Sequence, residues 1–321
     1  MLRIKIVLFC SLLLINCEKN PVDNNKSTPP DEERILFIRN VKNKLSQICT
    51  MKPDGSDIKV ISQTEVNLYN IGYIHARWSP DKSKVVVVGG PESSPDIFPL
   101  WLMDMSGNFC QKLSHNGFQP IWKNEDEIIY HKPRGYTIGS TQDIFLISIK
   151  EEREFIIFQQ TDTFSIRISD LDTVESYGIG SLYDKSLNPE KYDAIAKFQI
   201  GNWTNYNILY DNNAYLSVQP RLLPNKEKLI FVKGIYRNND IYSLDLSSGV
   251  VVNLTNNPSE YRNISCSPDG SHIAFSRVNS NLTGEFEECE DIFIMDIETR
   301  SIINITNTAS DSISNHVMDW K

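Results

Sequence analysis

The feature that most constrains this chain is a tight turn that keeps returning. Between Asn263 and Thr306 the sequence reads NISCSPDGSHIAFS, then a polar stretch ending at Glu290, then DIFIMDIETRSIINIT. These are four short runs in which apolar and polar residues alternate, as half-buried strands require. Ser267-Pro268-Asp269-Gly270 separates the first two. Proline presets φ, aspartate bonds its own backbone, and glycine accepts the positive φ that closes a hairpin. The runs His272 to Ser276 and Asp291 to Asp296 are too short for helices and rich in β-formers. A sheet this small cannot cover its own faces, so the unit must have neighbours of its own kind.

Copies lie upstream. Trp78-Ser79-Pro80-Asp81 is followed by Lys84 to Val88 and by Leu100 to Asp104. A weaker copy comprises Ile121 to Asn124, Glu127 to Tyr130 and Asp143 to Ile147. Another comprises Leu222 to Asn225, Lys228 to Val232, Asp240 to Asp245 and Val252 to Thr255. Pro224 and Pro268 lie 44 positions apart, and Pro80 and Pro224 lie 144 apart, or three intervals. One further unit is therefore expected within Phe164 to Asn212, where SIRISD, TVESYGIGS, KYDAIAKFQI and NYNILYDN supply strands but no SPDG turn. Near the N-terminus, Arg34 to Asn40 and Ser46 to Ser62 match strands two to four of a unit that lacks its first. Ser314 to Trp320 matches a first strand with no successors. The two fragments are complementary. They predict an all-β fold, a six-bladed β-propeller closed by the C-terminal strand completing the first blade, with no open edge at the seam. The first strands are expected near positions 78, 122, 168, 222, 266 and 320.

The propeller occupies residues 34–321, preceded by two segments of different character. Residues 1–17 read MLRIKIVLFCSLLLINC: two cations, an apolar stretch too short to span a bilayer comfortably, then a cysteine, which is the layout of a secretory signal. Leu14-Ile15-Asn16-Cys17 resembles the lipobox of bacterial lipoproteins, with Asn16 where a small residue is usual. The resemblance implies lipidation at Cys17, and residues 18–33 (EKNPVDNNKSTPPDEE) form a flexible polar tether. A bacterial cell-envelope location follows: outer membrane, periplasmic side or cell surface, with the lipid as the only membrane contact. The net charge of −9 argues against a nucleic-acid partner. Cys49, Cys110, Cys266 and Cys289 allow three pairings, but their irregular spacing reads as scattered thiols. Asn253-Leu254-Thr255 and Asn304-Ile305-Thr306 occupy equivalent places in the repeat and are read as structural, not as glycosylation sites.

The repeats themselves resemble a known family. Trp78-Ser-Pro-Asp, Ile273-Ala-Phe, Ile292-Phe-Ile-Met-Asp and Asn304-Ile-Thr are similar to the repeats of TolB-like β-propellers. The likeness covers nearly the whole chain after the tether and is specific for fold. It implies one of three roles: an envelope scaffold binding partner proteins, a gating domain of serine peptidases, or a metal-dependent pectate lyase. No hydrolase domain follows in this sequence, so the peptidase role lacks its catalytic half.

No nucleophile elbow, phosphate loop, HExxH or paired CxxC is present. The expected function is a non-catalytic, monomeric scaffold for an envelope protein. Alternatives are a propeller-type polysaccharide lyase or hydrolase and a glycan or small-molecule binding module. Aligning the first strands places His75, Gln119, Gln219 and Asn263 in one polar column. Arg77, Ile121, Arg221, Ser265 and Asp319 stand two positions further on. His75, Gln119, Gln219, Asn263, Arg77 and Arg221 are candidate ligand-binding residues at the channel mouth; the alternative is that they bond backbone or water. Amides make poor metal ligands, so no metal and no cofactor are expected. The segments Gly89 to Pro99, Lys132 to Gln142, Lys233 to Asn239 and Arg277 to Glu290 read as long loops on the face bearing that column, away from the SPDG turns. Phe98, Arg134, Tyr136, Tyr236 and Phe286 on them are candidate partner contacts, or else local packing. Glu285, Glu287, Glu288, Glu290 and Asp291 form an acidic run read as solvated surface, or as a patch for a basic partner. Trp78, Trp122 and Trp320 share one repeat position and are read as core between blades.

Overall fold

A computed structural model describes residues 32–41, 46–62, 75–90, 97–134, 142–187, 191–211, 220–235, 237–278, 289–308 and 313–321. Cys17, Tyr136, Gln219, Tyr236, Phe286 and the segments read as signal and tether lie outside these residues, apart from Glu32 and Glu33. Within them the chain folds into six four-stranded antiparallel sheets. The first blade holds β1 (Ile35–Val41), β2 (Gln47–Met51) and β3 (Lys59–Val60). The second is β4 (Ala76–Trp78), β5 (Lys84–Val88), β6 (Leu100–Asp104) and β7 (Phe109–Ser114). The third is β8 (Phe118–Trp122), β9 (Glu127–Pro133), β10 (Gln142–Ser148) and β11 (Arg153–Phe158). The fourth is β12 (Phe164–Asp172), β13 (Tyr177–Asp184), β14 (Lys191–Gln199) and β15 (Asn202–Tyr210). The fifth is β16 (Arg221–Leu222), β17 (Lys228–Ile235), β18 (Asn238–Asp245) and β19 (Val251–Asn253). The sixth is β20 (Tyr261–Cys266), β21 (His272–Val278), β22 (Glu290–Asp296) and β23 (Ile302–Asn304). Finally β24 (Ile313–Trp320) pairs with β1 from Val41↔Ile313 to Ile35↔Trp320, closing the ring as the complementary fragments predict. The strands β24, β4, β8, β12, β16 and β20 contact one another in a closed circuit, so the first strand of every blade lines the axis.

Where the recurring turn is present, it closes its hairpin as its residues dictate. Ser267 Oγ donates to Asp269 Oδ1 at 2.6 Å, the same oxygen accepts from Ser271 N at 3.0 Å, and Gly270 N donates to Ser267 O at 2.9 Å. In the copies at Lys82 and Lys226 a lysine takes the left-handed position, with φ of 58° and 60°. Asp81 and Asn225 supply the local bonds that stabilise it there. The second recurring element is a latch. Asp240 accepts from Thr255 Oγ1 at 2.6 Å and from Asn253 Nδ2 at 3.1 Å. Asp291 repeats the pattern with Thr306 at 2.9 Å and Asn304 at 3.1 Å. The two Asn-X-Thr tripeptides thus tie the outer strand to the third, which is their structural reason for recurring.

The core is divided among the blade junctions. Six apolar clusters each straddle two neighbouring blades, from Trp78 with Leu36 and Ile48 round to Trp320 with Ala274 and Ile292. Trp78, Trp122 and Trp320 are all buried in this material, and Trp122 Nε1 reaches back to Arg77 O at 3.1 Å. Cys49, Cys266 and Cys289 are free thiols, so none of the three possible pairings among the four forms. Burial pushes the Cys49 thiol up to about 11.

Two expectations need correction. Lys233 to Asn239 is not a long loop, because β17 and β18 stay paired as far as Ile235↔Asn238, a tight hairpin. Glu290 and Asp291 are not solvated members of an acidic run: they are 1% and 3% exposed and serve as internal acceptors. A charge run read from sequence alone cannot reveal that its last two residues begin a strand.

Candidate functional site

The blade geometry brings the C-terminal ends of the axial strands and their SPDG-type turns around a cavity of about 300 Å³. Among its lining residues are Arg77, Lys82, Asp170, Arg221, Asp319 and Lys321. Arg77 and Arg221 are expected at the mouth bearing the long loops, but they line this cavity at the other end of the axis. That end is the one bearing the SPDG turns, because both residues sit one position before the end-of-strand core site and hence beside the turn. Asp170, Lys82 and Lys321 were not expected there. Asp170 lies in the blade without an SPDG turn, where a bulge between Ile168 and Asp170 breaks the spacing.

Each charged group in the cavity has a distinct engagement. Asp319 accepts from Trp78 N at 3.1 Å with one oxygen and from Trp320 N at 3.2 Å with the other. Asp170 likewise accepts from Leu222 N at 2.9 Å and Leu171 N at 2.9 Å. Both acids therefore clasp the first strand of their own blade to that of the next. Burial raises the Asp170 carboxyl above the usual range despite these bonds. Arg221 donates from Nε to Ile264 O at 3.0 Å and from Nη1 to Ser169 O, joining three blades. Lys321 Nζ donates to Trp78 O at 3.1 Å and Ser79 O at 3.2 Å, and burial holds its ammonium below its ordinary value. Arg77 Nη1 makes one long contact, 3.4 Å, with Asp319 Oδ1.

Of the polar column, His75, Gln119 and Asn263 stand two or more positions before the strand ends and do not line this cavity. Gln119 and Asn263 have φ of 50° and 52° and stand at bulges in β8 and β20. A backbone position in the left-handed region favours Asn and disfavours branched residues, so the conformation accounts for the polar identity at Asn263 without a ligand. Gln119 Oε1 is buried with no hydrogen-bond partner among the described residues. His75 is driven down to about 3 by burial, aided by Arg77 and His131, and is neutral at physiological pH. His131, missed in the sequence because it lies on a second strand, is 1% exposed and pushed by burial to about 4. Its Nε2 accepts from Ile168 N at 3.1 Å, which places the proton on Nδ1. Among the described residues no group of three His, Cys, Asp or Glu side chains is arranged to hold a metal.

Of the residues expected to meet a partner, Phe98 is 5% exposed and packs on Phe118 with ring centroids 5.2 Å apart. It belongs to the junction of blades two and three and not to a contact surface. Arg134 is half exposed but forked onto Asp143, with Nε to Oδ2 at 2.7 Å, and also donates to Gln160 O. Its guanidinium ties its own blade together.

No family model matches the chain, and no curated protein matches its sequence. Solved structures do match. The chain is similar to TolB from Acinetobacter baumannii, with a TM-score of 0.63 at 14% identity over 89% of this chain and 66% of that one. It is similar to a nidogen/laminin complex, with a TM-score of 0.62 at 10% identity over 90% and 97%. A chain described as TolB from Agrobacterium tumefaciens gives 0.56 at 11% identity over 90% and 99%. This chain thus spans just under two thirds of the Acinetobacter protein. At such identities the likeness is one of fold, and the chain has the six-bladed β-propeller fold seen in TolB structures.

Proposed function

We propose that this chain is a lipid-anchored, non-catalytic protein-binding scaffold of the bacterial cell envelope. The observation that carries the reading is the engagement of the channel's titratable groups. Asp170 and Asp319, the two carboxylates lining the cavity, both hold backbone amides of two blades. His75 and His131 are kept neutral by burial, and His131 accepts from a backbone amide. General acid–base catalysis calls for groups poised near the working pH with a free approach to substrate, and these side chains are structural. A propeller of this fold also occurs in the nidogen/laminin complex, where it is solved as part of a protein assembly. Lipid on Cys17 and the tether of residues 18–33 would hold the ring at the membrane. Tyr136, Tyr236 and Phe286 are the proposed partner contacts, and Ile235, next to Tyr236 in the sequence, is 62% exposed.

Two measurements test this. Metabolic labelling with a radioactive fatty acid should mark the wild-type chain and not Cys17→Ala. Affinity capture from solubilised envelopes should retain a protein in fixed stoichiometry, weakened by joint substitution of Tyr136 and Tyr236. Turnover of an envelope polysaccharide by the purified chain, abolished by Asp170→Asn, would replace the scaffold with the lyase or hydrolase alternative.

A further inference from the structure

The cavity on the SPDG face carries an unbalanced charge. Four cationic side chains, Arg77, Lys82, Arg221 and Lys321, line it against the acids Asp170 and Asp319, in a chain whose net charge is −9. The imbalance is sharper than the count. Arg221, 8% exposed, donates to backbone carbonyls and to no carboxylate among the described residues, and Lys321 Nζ likewise hydrogen-bonds only carbonyls, with Asp319 and Asp81 acting on it at longer range. A buried cation in that condition is costly unless an anion joins it. Neither guanidinium is saturated: Arg77 has its single 3.4 Å contact, and the Nη2 of Arg221 has no bond to a described residue. Two guanidinium groups lining one cavity favour a planar anion taken in bidentate fashion.

We propose that this cavity binds a carboxylate, with Arg77 as the primary partner and Arg221 as the second. The volume of about 300 Å³ sits at the lower limit of the roughly 300–1,000 Å³ usual for ligand pockets. It accommodates a small organic acid or one acidic side chain and excludes a polymer segment. Asp170 and Asp319 on the wall set the charge preference: a dianionic phosphate meets two acids at short range, whereas a monoanionic carboxylate needs only one guanidinium edge. Asp319 is at once the intramolecular competitor for Arg77, and so sets how tightly the site can bind. This assignment does not rest on the scaffold reading, because a free acid can occupy the site in the absence of any protein partner.

Isothermal titration calorimetry of the purified full chain in detergent tests it. The probes are acetate, succinate, glutarate and a capped peptide carrying one glutamate, with inorganic phosphate as the contrast. At least one carboxylate should bind with Kd at or below about 1 mM. Arg77→Gln should weaken it by about tenfold or more, the scale of a lost hydrogen bond to a charged group, and leave the thermal transition in place. Asp319→Asn should strengthen it, since an amide keeps an acceptor for Trp78 N but no longer holds Arg77 by charge. Tighter binding of a free acid than of the peptide identifies a small metabolite, and the reverse identifies an acidic side chain of a partner. The proposal is overturned if no carboxylate binds at about 10 mM, if neither variant changes affinity, or if phosphate binds more tightly than every carboxylate.

Discussion

The two ends of the axial channel handle buried charge in opposite ways. In the cavity at the SPDG face Arg221 and Lys321 hold backbone carbonyls and Asp170 and Asp319 hold backbone amides. Among its described lining residues the one salt bridge is the 3.4 Å contact of Arg77 with Asp319, while outside the cavity Lys226 pairs with Asp172 at 2.7 Å. At the other face the charges are paired directly. Glu290, 1% exposed, accepts from Arg262 Nη1 at 2.7 Å and lies 3.0 Å from His316 Nδ1. Arg262 also grips Glu260, and His316 Nε2 lies 3.0 Å from the Asn40 amide. This second cluster stitches blade six to blade one at the seam where β24 completes the ring. A closed network of this kind resists change, because losing one member strands the rest. The open arrangement at the SPDG face leaves charge facing a cavity, which suits a ligand. The difference teaches that burial of charge by itself does not mark a functional site; the type of partner does.

The largest effect should come from breaking the closed end. Glu290→Ala removes the carboxylate that joins Arg262 and His316, while Arg262 keeps Glu260, and should cost about 2–3 kcal/mol, read as a lower midpoint in urea denaturation. Arg77→Gln at the open end should cost less than Glu290→Ala, because its one contact, at 3.4 Å, is a weak hydrogen bond. Equal losses in the two variants would remove the distinction. The sign of the pH dependence sharpens it further. Interactions with His316 and Arg262 outweigh burial and hold the Glu290 carboxyl below its usual range. Its contribution is therefore present above the unfolded carboxyl pKa and is lost only as pH falls through the lower folded value.

The histidines act in a higher window. Their folded pKa values, about 3 for His75 and about 4 for His131, lie below the ordinary 6.5. The unfolded chain therefore binds the extra protons, and stability should fall as pH drops from about 6.5 towards 4. His75 has no side-chain hydrogen bond among the described residues, so His75→Phe should remove roughly one proton from the uptake on unfolding across that window. Denaturation midpoints at several pH values between 4 and 7.5 give this slope directly. An unchanged slope in the variant would mean that His75 is solvated in the folded state.

Much of the fold was legible because turn chemistry repeats. Pro80, Pro224 and Pro268 set the period, and the unmatched strands at the two termini announced the closure that β24 and β1 make. The fourth blade was legible as strands but not in register: its second strand runs Tyr177–Asp184, four positions later than the TVESYGIGS reading begins. The site was legible only in part. Arg77 and Arg221 follow from counting back from a core position, but Asp170 does not, since the β12 bulge displaces it. Asn263 drew attention as a possible ligand because a sequence shows polarity without showing φ. Glu290 looked like surface for the complementary reason, that its cationic partners come from β20 and β24, distant in the chain.

The smallest effect tests the open end from within. Asp170 is raised above the usual carboxyl range, mainly by burial with a further push from Asp319, against the lowering effects of the Leu222 N bond, the Arg77 charge and the Leu171 N bond. A raised folded pKa means that the native state gains from protonation. The stability tied to this group is full below the unfolded pKa and declines as pH rises through the folded one. Asp170→Asn fixes the neutral form while keeping an acceptor for Leu222 N. It should leave the protein more stable by on the order of 1 kcal/mol at pH 7, with the advantage over wild type vanishing as pH falls towards 4. Differential scanning calorimetry of both chains at pH 7 and pH 4 measures it. The same substitution at the closed end, Glu290→Gln, should destabilise at pH 7, because there the ionised form is the one its neighbours hold. If both amides destabilise alike, Asp170 is held by its surroundings as a charge, and the two ends of the channel follow one rule.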